Sequence, residues 1–182
     1  MRLVIAVVLG LAVALGAAGA SAQIRIQQSL YEPKTEFSKN QFDWAMKRGT
    51  GVIAGQAVMK AQGGVLKYGA KQRVVLVPRN SYTDEIVSAS REKNFFKSYD
   101  GVSKHPDYDT YRRVAVADDE GRFRFEDLPA GEWYLGSQIV WYTKSSDGRT
   151  HMNGGVLWGL ITIADGEVRD DVRLDSTTEM VR

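Results

Sequence analysis

Residues 117–135 read Ala-Asp-Asp-Glu-Gly-Arg-Phe-Arg-Phe-Glu-Asp-Leu-Pro-Ala-Gly-Glu-Trp-Tyr-Leu, and this stretch decides the fold. Phe123 and Phe125 alternate with Arg122 and Arg124, so a strand here turns its rings inward and its guanidinium groups to water. Leu128-Pro129-Ala130-Gly131 turns the chain. Trp133, Leu135, Ile139 and Trp141 then share one parity and line a core, while Tyr134, Val140 and Tyr142 occupy the opposite face. On the N-terminal side the pattern suggests a hairpin. With Asp118–Gly121 as its loop, Ala117 faces Arg122, Val116 faces Phe123 and Val114 faces Phe125, and Arg113 meets Glu126 as an opposite-charge pair. Gly121 suits a loop position that needs positive φ.

Working outward, short β-like runs recur between turn signals at 51–59, 65–68, 72–77, 111–117, 122–125, 132–142, 155–163 and 168–174. Seven or eight strands at such intervals predict an all-β sandwich. Residues 81–100 break the texture. Ser81 and Asp84 have capping-box spacing, Tyr82, Ile86, Ala89 and Phe96 fall near one helical face, and Asp100-Gly101 is a stop signal. A helical insertion over about 81–100 is therefore expected. The whole stretch 78–110 is long for a sandwich loop, and long insertions often carry function.

Two further segments bear on the family. Residues 51–58 read Gly-Val-Ile-Ala-Gly-Gln-Ala-Val, and 74–78 read Val-Val-Leu-Val-Pro. Together with 117–135 they resemble the carboxypeptidase regulatory-like domains, also called prealbumin-like or transthyretin-like, with Trp133 where the family usually has Tyr. The resemblance spans roughly 49–142 and implies a seven-stranded sandwich. It also implies a non-catalytic accessory, adhesive or interaction module, since such a fold hosts many functions. The insertion and residues 23–48 depart from it. Two enzyme families share the shape. The transthyretin-like hydrolases end in Tyr-Arg-Gly-Ser, whereas this sequence ends Glu-Met-Val-Arg. The intradiol dioxygenases hold iron with two Tyr and a closely spaced His pair, and here His105 and His151 stand far apart beside Tyr108, Tyr111, Tyr134 and Tyr142.

The first 22 residues have the order of a cleavable signal peptide: Arg2, an apolar run over 3–15, then Ala20-Ser21-Ala22. The run is short for a bilayer span. Cleavage leaves about 160 residues, enough for one core. The expected organisation is a signal at 1–22, a polar lead-in with scattered aromatics at 23–48, the sandwich at 49–175 and a tail at 176–182. A periplasmic or secreted location follows, with no membrane span after cleavage. The formal charge of +2 implies no nucleic-acid partner, and the absence of cysteine excludes disulfides and thiolate chemistry.

The candidate chemistry is sparse. His105 and His151 lack ligand spacing, the carboxylates at 118–120 lack a calcium pattern, and no serine has a nucleophile setting. No cofactor and no metal are expected. Aromatic faces offer an alternative, because sugars stack on them. Trp44, Tyr134, Trp141, Tyr142 and Trp158 are the candidates for such a platform, of which only Tyr134 and Tyr142 have outward parity, and Phe96, Tyr99, His105 and Tyr108 lie in or near the insertion. Tyr134, Tyr142 and these last four form the expected binding surface, with a protein or glycan of the cell envelope as partner. The rival classes are a metal-dependent enzyme using His105, His151 and tyrosines, and a structural subunit of an envelope assembly.

Overall fold

A computed structural model describes residues 31–92 and 102–175. Among the described residues eight strands form two four-stranded sheets. In the first sheet β1 (Gly51–Lys60) is central. It pairs antiparallel with β5 (Arg122–Leu128), parallel with β8 (Val168–Leu174), and near its end antiparallel with β2 (Leu66–Tyr68). The second sheet runs β4 (Arg113–Val116), β3 (Arg73–Pro78), β6 (Gly131–Lys144), β7 (Thr150–Ile163), antiparallel throughout. The all-β sandwich read from the alternation is therefore present.

The inward face follows the parity of the sequence. Ile53 and Ala57 of β1, Val74 and Leu76 of β3, Phe123 and Phe125 of β5, and Trp133, Leu135 and Ile139 of β6 are buried in one apolar cluster. Burial of such side chains contributes about 1.5–3 kcal/mol each relative to exposure. Gly121 takes φ 76°, the left-handed conformation its loop was expected to need.

The hairpin expected between β4 and β5 does not form. β4 pairs with β3 and β5 pairs with β1, so residues 118–121 carry the chain from one sheet to the other. Ala115 and Ala117 turn to the core, and Val114 and Val116 turn outward, Val116 being 66% exposed. Arg113 meets the backbone carbonyl of Glu126, at 3.3 Å, rather than its carboxylate.

Between β3 and β4 lies helix α1 (Ser81–Glu92). It starts where expected, but its cap is one residue earlier. Asn80 Oδ1 accepts from the Thr83 N–H at 2.9 Å, leaving Ser81 and Asp84 to other partners. The remainder of the expected helix, including Phe96, lies outside the described residues. Two stripes of α1 are buried. Thr83, Val87 and Ser90 are spaced to lie along one side, and Val87 packs with Val77, Tyr134 and Trp158 on the outer face of the second sheet. Tyr82, Ile86 and Ala89 pack against Phe42, Val102 and Tyr108, with Tyr31, Phe37 and Tyr111 at the margin. The lead-in thus closes over the helix as an outer layer.

That layer is held by polar contacts as well as by rings. The Glu85 carboxylate accepts from Tyr31 Oη at 2.5 Å, from the Lys34 N–H at 2.8 Å and from the Thr35 N–H at 2.7 Å. Burial raises its pKa, but the bonds from Lys34, Thr35 and Tyr31 outweigh burial and hold it at about 2. On the core side, the Arg113 guanidinium lies 5.7 Å over the Trp133 ring and donates to the carbonyls of Ala45 and Lys47. It ties the end of the lead-in to the sandwich.

Candidate functional site

The outer face of the second sheet is only partly covered by α1. Where the cover ends, a hollow of about 280 Å³ opens between the sheet and residues 104–112. Its floor is set by strand register. Gly136 of β6 is paired with Trp158 of β7 and with Val75 of β3, and Gln138 is paired with Val156. Because glycine has no side chain, the Trp158 ring lies over that position: a Cβ on Gly136 would stand 2.4 Å from ring carbon Cζ3. Trp158 itself is 4% exposed, so the ring is fixed by packing with Val77, Val87 and Tyr134. Val75 and Val156 complete an apolar base.

The rim is polar. Arg73 comes from the start of β3, Gln138 from β6, and Lys104, Asp109 and Arg112 from the segment that leads into β4, while Ser137 adds its backbone beside them, its side chain sharing the inward parity of Leu135 and Ile139. Arg112 and Asp109 form an ion pair at 3.3 Å. Ser137 Oγ donates to the Arg73 carbonyl at 3.0 Å, which fixes the start of β3 against β6. A small hollow with an aromatic and apolar base and a few convergent polar groups is the ordinary form of a small-molecule site. It suits a ligand with one apolar face and hydroxyl groups around its edge.

Two other concavities are less suited. A hollow of about 350 Å³ on the other side of Trp158 is lined by Met59, Lys60, Ser90, Arg91 and Leu157. A trough of about 510 Å³ crosses the outer face of the first sheet between β5 and β8. Its arginines already have partners: Arg122 with Asp118 and Glu120, Arg124 with Glu126, and Arg173 with Asp175. Such a face is a ladder of neutralised charge.

Of the residues expected to form a binding surface, the four that the structure describes do not form one exposed face. Tyr134 has the outward parity read from the sequence, but α1 covers it and it is 3% exposed. Its hydroxyl donates to Asp84 Oδ1 at 2.6 Å, and burial, reinforced by Asp84, pushes its pKa well above the usual phenol range. Tyr108 is 1% exposed within the lead-in cluster. The His105 ring is stacked on Phe37 at 4.2 Å, and its Nδ1 accepts from the Asp107 N–H, capping the short 3-10 helix Pro106–Tyr111. Tyr142 is exposed, at 67%, on the β6–β7 arm opposite Met152. Phe96 and Tyr99 lie outside the described residues. His151 stands on β7 with its Nε2 3.2 Å from Ser145 Oγ. Among the described residues no three His, Asp or Glu side chains converge as a metal site.

The chain is a β-sandwich with a ligand-sized hollow on the outer face of one sheet. No family model matches the sequence, and no curated protein matches it. Among solved structures it is similar to that of a candidate carbohydrate binding protein from Pseudomonas aeruginosa. The two chains are 27% identical, the TM-score is 0.66, and the match covers 78% of this chain and 98% of that one.

Proposed function

We propose that this protein is an exported carbohydrate-binding module on a prealbumin-like sandwich, and that the hollow over Trp158 is its sugar site. The observation that carries the reading is the ring of Trp158 held against Gly136 as the floor of a polar-rimmed hollow. A sugar packs its C–H groups on the base formed by Val75, Val156 and the small exposed part of Trp158, and meets the rim with its hydroxyl groups. Similarity to the Pseudomonas aeruginosa candidate carbohydrate binding protein supports the same reading from outside the site. The 78–110 insertion then has a role the sequence suggested for it, since Lys104 and Asp109 form one wall.

The signal-like order of residues 1–22 supports a ligand outside the cytoplasm, among polymers of the envelope. Two measurements test the reading. Intact mass of the protein recovered from cells shows whether 1–22 are removed; retention of Met1 contradicts export. A glycan array probed with the protein and with Val156→Trp, which fills the hollow, tests the site. Saturable binding by the unaltered protein and its loss in a folded Val156→Trp variant are expected. Equal binding by both would move the site elsewhere.

A further inference from the structure

We infer that the hollow selects acidic sugars, hexuronates in particular, over neutral sugars of the same configuration. The inference rests on the carbohydrate reading of this hollow and concerns its charge. The lining holds three cations, Arg73, Lys104 and Arg112, and one carboxylate, Asp109, which is already engaged by Arg112 at 3.3 Å. Arg112 is matched by Asp109 and Lys104 has a contact of its own, so the unmatched charge of this rim is that of Arg73.

Arg73 is the decisive residue. Its backbone is anchored twice, by pairing with Val116 and by the Ser137 hydroxyl on its carbonyl. Its side chain shares the face of Val75 and Val77, which points out of the sandwich into the hollow. Its guanidinium has no ion-pair partner among the described residues. The contrast within the molecule is sharp: on the trough of the first sheet Arg122, Arg124 and Arg173 each lie against a neighbouring carboxylate. An unneutralised guanidinium at the rim of a hollow is the group that meets a carboxylate through paired N–H donors. A sugar ring seated on the base of Val75, Val156 and Trp158, and bearing its carboxylate at the ring edge, would place that group at the rim, near Arg73 and Arg112. The walls lower the local dielectric, so the attraction exceeds that at an open surface.

The test uses hexuronate disaccharides of gluco, galacto and manno configuration, each against the neutral disaccharide of the same configuration. Binding is measured by calorimetry at low and at raised salt, with sodium acetate as a free-carboxylate control. At least one hexuronate should bind tenfold or more tighter than its neutral counterpart, and the preference should shrink with salt. Arg73→Gln should remove most of that preference while leaving the melting temperature unchanged, and Arg112→Gln should lower it further. Equal affinity for acidic and neutral members overturns the inference but leaves the sugar site standing. Acetate binding as tightly as the hexuronates overturns it as well, since the ring would then contribute nothing. Failure of every disaccharide to bind removes the sugar reading and the inference together.

Discussion

Trp158 lies over the backbone of its cross-strand partner Gly136, so close that no side chain fits between them. The glycine therefore lets the ring close down on the strand at the base of the hollow. Gly136→Ala must move the ring or the strand, and overpacking of this kind costs about 1–3 kcal/mol. A lower melting temperature and altered tryptophan emission are the expected readouts, with weaker glycan binding. A variant with unaltered stability and emission would show that the contact is not tight.

Glu85 governs the acid response of the outer layer. Its folded pKa, about 2, lies below the ordinary 4.5. The ionised carboxylate therefore stabilises the fold fully above about pH 4.5, and this contribution is lost as pH falls toward 2. Glu85→Gln is expected to cost about 1–3 kcal/mol at neutral pH, the range for charge-assisted hydrogen bonds, and to flatten the loss of stability in acid. Chemical denaturation at pH 7 and pH 3 measures both. An unchanged acid slope would mean that the bonds from Tyr31, Lys34 and Thr35 add little.

Much of the sandwich was legible, and the misses have physical causes. The alternation through Phe123, Phe125, Trp133 and Leu135 identified the core face correctly, because a half-buried strand records its own burial. The β4–β5 hairpin failed because parity says which side chains share a face, not which strand lies alongside. Val114 and Val116 fit a ribbon with Phe123 and Phe125 on paper, yet the two strands belong to different sheets. Tyr134 was placed on the outer face correctly, but no local pattern announces that α1 will cover that face. His105 and Tyr108 are consumed by an aromatic cluster drawn from residues 31–42, 82–89 and 102–111, which no short window contains. The hollow is dispersed in the same way. Arg73, Arg112, Gly136 and Trp158 meet only through the register of β3, β6 and β7, and the hints in the sequence were Trp158 as one of several candidate stacking rings and the length of the insertion that walls the hollow.

Arg113 is expected to matter for stability and not for binding. Its guanidinium donates to the carbonyls of Ala45, Lys47, Glu126 and Asp127 and lies over Trp133. Arg113→Met retains the aliphatic stem but removes every donor, and a loss of about 1–3 kcal/mol is expected. Thermal denaturation measures it. A glycan affinity that changed in step with stability would contradict the separation of this staple from the site.

Tyr142 gives the opposite case. It is exposed on the β6–β7 arm, and its strand partner is Met152. Tyr142→Ser is expected to alter stability by no more than about 0.5 kcal/mol and to leave glycan binding as it was. Loss of binding in this folded variant would shift the sugar surface from the hollow to the arm.

The central claim is that the hollow over Trp158 holds a sugar. The most direct measurement is a titration of the protein, its tryptophans labelled with 15N, with envelope oligosaccharides, followed by the four indole N–H resonances. Trp44 and Trp133 pack against each other, Trp141 of the arm lies near Lys67, and Trp158 is the tryptophan that lines the hollow, so the four report on three places. A saturable shift of Trp158, with Trp141 still, is the result the account predicts. A saturable shift of Trp141 with Trp158 still, or no shift in any of the four, would contradict it.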